Sequence, residues 1–236
     1  MRAAIAALAC LGLGCPAVAS ADDLTVFAAS SLKNVFPRIA PARYSFAGSD
    51  QLAFQLREGA PADVFAAASP RYPQELNRRG LVARPVTFAT NRLILVLPRR
   101  NPAGIKSVRD LRRPGVKLVI GQPGVPIGDY TRKILKNLGL SSVLSNVVSQ
   151  EPDARSIVGK VVLGQADAGF VYATDARPVA KHVQVIELPA RAQPVVRYEI
   201  AVVSSSKRLE GARAFVRRIL GPAGRARLAA AGFGLP

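Results

Sequence analysis

The stretch Leu24-Thr25-Val26-Phe27-Ala28-Ala29-Ser30-Ser31-Leu32 decides the fold, because it passes from a strand through a hydroxyl-rich turn into a helix. Its first half, Leu24 to Ala28, is an apolar run that predicts a buried strand. Beyond Ser31, apolar residues recur at helical spacing and would form one buried helix face. These residues are Leu32, Val35, Phe36 and Ile39.

The same unit of strand, turn and helix recurs along the chain. Alternation of this kind predicts an α/β protein whose mainly parallel sheets are covered by helices. Further strands are predicted at Arg43–Phe46, Asp63–Ala67, Lys117–Ile120, Asn146–Val148 and Ala168–Tyr172. Further helices are predicted after Ser49, at Gly128–Leu138, at Asp153–Leu163 and at Leu209–Ala230, where Gly221-Pro222 interrupts the last one.

Two apolar strands, Arg92–Leu97 and Val195–Val203, bracket the middle of the chain and are the natural crossings between two lobes. A chain of this length divides readily into two units, since cores commonly split at about 100–150 residues. We therefore expect a discontinuous first lobe, residues 22–91 plus 203–236, and an inserted second lobe, residues 92–202. Ligands of open α/β sheets lie at the carboxyl ends of strands, which places a ligand cleft between the lobes.

The N-terminus has the pattern of a signal peptide, residues 1–21, with Arg2, an apolar run from Ala3 to Leu13, and small residues before the cleavage site at Asp22. The predicted location is the periplasm. Both cysteines lie in this leader, so the mature chain would have no disulfide. A lipoprotein leader is the alternative, but neither Cys10 nor Cys15 follows a convincing lipobox.

The chain is strongly basic, with a formal charge of +18 that falls to +17 when the leader and Arg2 are removed. Such a charge raises nucleic acid as a partner. The arginines, however, form short scattered clusters without interleaved aromatic residues, and the chain carries an export signal. A solvated basic surface that steers anions is therefore favoured, and no nucleic-acid partner is expected.

Four segments place small or hydroxyl residues where a strand ends and a helix is predicted to begin. A helix start offers unpaired N–H groups and the positive end of the dipole, which together bind anions. Two segments fall in each predicted lobe, and Tyr172 ends a nearby strand. The pattern predicts a cage for a tetrahedral anion. The segments are Ala28–Leu32, Phe46–Leu52, Val125–Tyr130 and Pro152–Arg155.

Several motifs resemble the periplasmic molybdate-binding proteins of ABC uptake systems, and the resemblance runs through essentially the whole mature chain. The most specific are Val125-Pro126-Ile127-Gly128-Asp129-Tyr130 and the ending Val171-Tyr172-Ala173-Thr174-Asp175-Ala176. The others are Phe27–Leu32, Phe46–Ser49, Gly59–Phe65 and Asn91–Val96.

The resemblance implies a two-lobed periplasmic-binding-protein fold of type II, which closes on an oxyanion held by hydroxyls and backbone amides with little help from Lys or Arg. It implies molybdate as the ligand, without separating it from tungstate, and an ABC permease at the membrane as partner. It further implies a monomer with no cofactor, no cation site and no enzymatic activity. The implied ligand-binding residues are Ser31, Ser49, Ile127, Ala154 and Tyr172.

Two features depart from the family pattern. Asp50 stands where the family often has a hydroxyl, and its carboxylate would repel an anion unless it points away or caps its own helix. Ile127 is bulkier than the usual residue. Judged without the resemblance, Ser31 and Ser49 would more often be ordinary helix N-caps, and Tyr172 a half-buried strand residue.

Other functions remain open from the residues alone. A binding protein for sulfate or phosphate is the closer competitor, because these anions differ from molybdate mainly in size and protonation. The more remote alternative is a serine hydrolase, because Ser30-Ser31-Leu32-Lys33 matches the S-x-x-K motif of such enzymes. The K-T-G element that accompanies this motif is missing from the sequence. His182 is the chain's one histidine and is expected at the surface, and Asp63 and Asp175 are expected to be structural.

Overall fold

The computed structural model describes residues 24–236, in which ten strands form two five-stranded sheets. The predicted signal peptide, with Cys10 and Cys15, lies outside the described residues. The strands are β1 (Thr25–Ala29), β2 (Arg43–Ala47), β3 (Val64–Ala67), β4 (Val86–Asn91), β5 (Leu93–Pro98), β6 (Leu118–Gly121), β7 (Val147–Glu151), β8 (Ala168–Tyr172), β9 (Val183–Glu187) and β10 (Val196–Val202).

The two sheets have the same design. The first has the order β2-β1-β3-β10-β4 and the second the order β7-β6-β8-β5-β9. In the first sheet β10 is antiparallel to both neighbours, and in the second sheet β5 is. Four strands of each sheet therefore run one way and one runs against them, which refines the expected mainly parallel sheets to mixed ones.

The antiparallel strand of each sheet is the one that follows a crossing between sheets. β4 ends at Asn91 in the first sheet and β5 starts at Leu93 in the second, so Arg92 bridges them. The return crossing runs from the end of β9 to the start of β10, residues 188–195. The second lobe was predicted to end at residue 202, and this boundary is wrong. The second lobe ends before β10, because β10 pairs with β3 and β4 of the first sheet.

Helices cover both sheets, and most follow the predicted positions. The first predicted helix is different: Ser30–Leu32 form a 3-10 turn, and α-helix resumes only at Phe36. Pro37 explains this break, because proline has no N–H to bond one turn back and is tolerated only in the first turn. The helices are α1 (Phe36–Ile39), α2 (Ser49–Arg57), α3 (Arg71–Arg78), α4 (Pro126–Asn137), α5 (Ala154–Val162), α6 (Ala173–Ala176), α7 (Leu209–Leu220) and α8 (Pro222–Ala230).

The core is built where the apolar faces of these helices meet the strands. β3, β6 and β8 are buried along their whole length, as expected for central strands covered on both faces. Within residues 24–236 no helix is long and apolar enough to span a bilayer. One continuous cluster of buried residues includes β1 and β3 of the first sheet and β6 and β8 of the second, and the carboxyl ends of these strands carry the candidate site.

Candidate functional site: a small cavity between the sheets

A small cavity lies between the two sheets. All five residues predicted to bind the ligand line it, each from the place where a strand ends or a helix begins. Ser31 lies in the 3-10 turn after β1, and Ser49 is the first residue of α2. The second sheet contributes Ile127 in the first turn of α4, Ala154 at the start of α5 and Tyr172 at the end of β8.

Neither serine hydroxyl caps its helix. The amide of Ala68, just beyond β3, donates to Ser49 Oγ at 3.0 Å, and the N-cap of α2 is Gly48. Ser31 Oγ lies 2.9 Å from the Tyr198 hydroxyl. The interpretation of the serines as N-caps is therefore wrong. Because Ser49 Oγ already accepts from an amide, its own hydrogen is free to donate into the cavity.

A short relay of polar groups connects the Ser31 hydroxyl to Asn91. Asn91 Oδ1 accepts from the Arg92 amide at 2.9 Å, so Asn91 Nδ2 donates to Thr174 Oγ1 at 2.9 Å and to the Tyr198 hydroxyl at 3.4 Å. Tyr198 lies in turn 2.9 Å from Ser31 Oγ, and either hydroxyl can be the donor of that bond.

Tyr172 presents a hydroxyl that has no partner. Its side chain is 2% exposed, and its hydroxyl makes no hydrogen bond in the described part of the chain. Burial raises the pKa of this phenol well above its ordinary value, so it remains a neutral donor. Buried hydroxyls almost always have partners, so an unpaired donor at a cavity wall indicates an acceptor that binds there.

Two helix N-termini add backbone donors. Val125, the N-cap of α4, makes no side-chain cap, and Pro126 has no N–H, so the amide of Ile127 is among the first available. At α5 the Asp153 carboxylate accepts from the amides of Arg155 and Ser156, which leaves the Ala154 amide to the cavity. The positive end of each helix dipole adds to these donors.

Close packing of glycines keeps the α4 N-terminus in place. A Cβ on Gly128 would lie 2.2 Å from the carbonyl oxygen of Gln122, and one on Gly121 would lie 2.6 Å from the Gly128 amide nitrogen. Both contacts are far shorter than a Cβ allows. The loop after β6 therefore folds directly onto the first turn of α4, and only glycine at these positions lets Ile127 reach the cavity.

The charge around the cavity is unusual for an anion site. Its lining contains no Lys or Arg, and its one ionisable carboxylate, Asp153, is occupied by two amides and by Ser156 Oγ at 3.1 Å. Asp50 does not line this cavity but a separate groove with Arg71, Tyr72 and Pro152. Burial raises the pKa of its carboxyl, and its Oδ1 is buried without a hydrogen-bond partner in the described part of the chain.

The remaining candidates lie away from the cavity. Asp63 accepts from the Thr25 amide at 2.8 Å and from Ser206 Oγ at 2.6 Å, which is a structural role. His182 and Lys33 are exposed, and Lys33 is not among the cavity residues that include Ser30, so the S-x-x-K arrangement is not assembled there. Residues 24–236 contain no cluster of three metal-ligating side chains.

Comparisons with known proteins agree with this architecture. Residues 24–234 match the family model described as bacterial extracellular solute-binding protein. The molybdate-binding protein ModA of Mycobacterium tuberculosis H37Rv is 40% identical over 227 residues, covering 92% of this chain and 86% of that protein.

Solved structures share the fold at lower identity. The periplasmic molybdate-binding protein of Azotobacter vinelandii superimposes with a TM-score of 0.81 at 22% identity, covering 91% of this chain and all of that one. The sulfate-binding protein SubI of Mycobacterium tuberculosis superimposes with a TM-score of 0.75 at 18% identity, covering 89% of this chain and 85% of that one. These two likenesses concern the fold alone.

Proposed function

The chain belongs to the family of bacterial extracellular solute-binding proteins, and from this premise we propose that it captures molybdate outside the cytoplasm and delivers it to an ABC importer. The relative that is 40% identical over 92% of this chain is named as a molybdate-binding protein, and this similarity supports molybdate as the ligand. The proposed ligand-binding residues are Ser31, Ser49, Ile127, Ala154 and Tyr172.

The unpaired, buried hydroxyl of Tyr172 is the observation that carries this proposal. It lines a cavity with the hydroxyls of Ser31 and Ser49, and Ser49 Oγ already accepts a hydrogen bond from the Ala68 amide. All three hydroxyls can donate towards the cavity. A set of donors without an acceptor or a cation fits a fully deprotonated oxyanion, whose hydrogen bonds are strengthened by its charge.

The same donor set argues against phosphate. At neutral pH phosphate carries a proton that needs an acceptor in the cage. Asp50 lines a different groove and is not among the residues of this cavity, and Asp153 is already occupied by the start of α5. A protonated anion would leave its O–H facing other donors, and that mismatch disfavours its binding.

The proposal also covers the location, oligomeric state and partner of the protein. The protein acts in the periplasm after export, as a monomer, with no cofactor and with the ABC permease as its protein partner. Tungstate is expected to bind as well, because the same donors serve any large tetrahedral dianion. The lobes close on the anion by rotation about the crossings, one at Asn91-Arg92 and the other now assigned to residues 188–195, before β10.

The test is titration calorimetry of the mature protein with molybdate, tungstate, sulfate, phosphate and chromate. We expect tight binding of molybdate and tungstate, weaker binding of sulfate and no binding of phosphate. A ligand present at a hundredfold excess over its Kd should also stabilise the fold by roughly 2.7 kcal/mol. If sulfate or phosphate binds and molybdate does not, the proposal is wrong.

A further inference from the structure

Arg71 and Tyr72, at the start of α3, reach from the first lobe across the cleft. The Tyr72 hydroxyl donates to the carbonyl oxygen of Gly124, and Arg71 Nη1 lies 3.4 Å from Asp129 Oδ2. None of these four residues lines the cavity proposed to hold the anion. They form a connection between the lobes that lies outside the ligand-binding residues.

The segment on the far side of this connection is the one that presents the Ile127 amide. Gly124 has a φ of 88° and donates its amide to Asp129 Oδ1 at 2.9 Å, which closes the loop just before α4. Asp129 thus holds the loop with one oxygen and faces Arg71 with the other. A hydrogen bond to the Gly124 carbonyl therefore also restrains the start of α4.

The two cross-cleft contacts differ in strength. The Arg71 and Asp129 side chains are 62% and 42% exposed, and exposed ion pairs contribute little. Tyr72 is 6% exposed, and its ring packs in the core beside Leu52 and Leu76. Its hydroxyl is therefore already positioned before the lobes meet, and burial raises its pKa to about 12, so it stays a donor at physiological pH.

We propose that Tyr72 is a positioning residue that latches the closed cleft through Gly124 and sets how long the oxyanion is held without touching it. This latch, Tyr72 with Gly124, rests on the proposed oxyanion-binding function. It forms only when the lobes meet, so it slows opening and release and leaves capture by the open form unchanged. One such bond corresponds to a roughly threefold to tenfold change in release rate.

The experiment compares Tyr72→Phe with Tyr44→Phe. Tyr44 is a matched control, because its hydroxyl donates to the Ala40 carbonyl at 2.6 Å within the first lobe. Release of bound radiolabelled molybdate is followed after a chase with unlabelled molybdate, and association is measured separately. We expect Tyr72→Phe to release the anion about threefold to tenfold faster with unchanged association, whereas Tyr44→Phe behaves as the wild type.

Solution scattering on molybdate-saturated protein adds a second readout, in which Tyr72→Phe should retain a larger open fraction than the control. Arg71→Gln should show a smaller effect on release. Equal release rates for Tyr72→Phe and wild type would overturn the latch while leaving molybdate binding intact. If the wild type does not bind molybdate but binds another oxyanion of the panel, the same comparison is made with that anion. Binding of none of them would overturn both proposals.

Discussion

Gly48 and Pro152 meet across the cleft so closely that a Cβ on Gly48 would lie 2.5 Å from the Pro152 carbonyl oxygen. Gly48 precedes α2 in the first lobe, and Pro152 precedes α5 in the second. Backbone conformation does not require glycine here, because φ is −60°. Two close neighbours favour glycine here: the Pro152 carbonyl of the second lobe and Asp50 Oδ1 of the first, which would lie 2.6 Å from the same Cβ.

Gly48→Ala is therefore expected to hinder closure, while the Asp50 side chain must turn aside to admit the methyl group within the first lobe. The clash with the Pro152 carbonyl arises only in the closed form, so molybdate affinity should fall at least about tenfold, which corresponds to about 1.4 kcal/mol. Calorimetry measures the affinity, and scattering should show less compaction on adding molybdate. Gly159→Ala is the control, because a Cβ there has no neighbour within 4 Å. Equal affinities in the two variants would contradict the argument.

Tyr172→Phe should weaken molybdate binding without lowering the stability of the ligand-free protein. The hydroxyl has no partner in the protein, so its removal breaks nothing when the cavity is empty. A hydrogen bond to a charged group contributes about 1.5–3 kcal/mol, or roughly a 10- to 150-fold change in Kd. Titration calorimetry and thermal melting measure the two quantities. An unchanged Kd would remove Tyr172 from the ligand-binding set.

Ser49→Ala should lower both molybdate affinity and the stability of the empty protein. From sequence, the expected loss of stability is small, but the structure changes this expectation. The variant leaves the buried Ala68 amide unpaired, at a cost of about 1–3 kcal/mol. Urea unfolding measures this cost, with the exposed Ser145→Ala as control. Lower stability with unchanged affinity would restrict Ser49 to a structural role.

Asp175→Asn should remove a pH dependence of stability. Asp175 is buried and one of its oxygens has no partner, and burial raises the pKa of its carboxyl to about 7. Arg155 opposes this shift, and Asp153 adds to it. Because the folded-state pKa is raised, the wild type loses stability as pH rises from about 4 to about 7, by about 4 kcal/mol at most.

The Asn variant cannot ionise, so its stability advantage over the wild type should grow across that pH range and stay constant above it. Urea unfolding at several pH values measures the difference. Asp110→Asn should show the opposite trend, because backbone amides of Lys106 and Ser107 lower the pKa of the Asp110 carboxyl. Parallel stability curves for Asp175→Asn and wild type would contradict the prediction.

The sequence by itself determined the repeated strand-turn-helix unit and the positions at which site residues follow strand ends. A cage for an anion in a cleft between the lobes was predictable from these positions, because strand and helix periodicities are local. Burial of β3 and β8 was predictable for the same reason. The choice of Ser31, Ser49, Ile127, Ala154 and Tyr172 as the ligand-binding residues, however, depended on the resemblance to a family.

Only the tertiary structure decided which distant segments meet. It placed β10 in the first sheet, beside β3. It also connected Asn91 through Tyr198 to Ser31, and Tyr72 to Gly124, although these residues are far apart in the chain. The sequence of an apolar strand does not show which sheet the strand joins. Likewise, the sequence around a tyrosine does not show which group its hydroxyl contacts. These choices follow from the packing of whole lobes, because only that packing brings distant groups within hydrogen-bond distance.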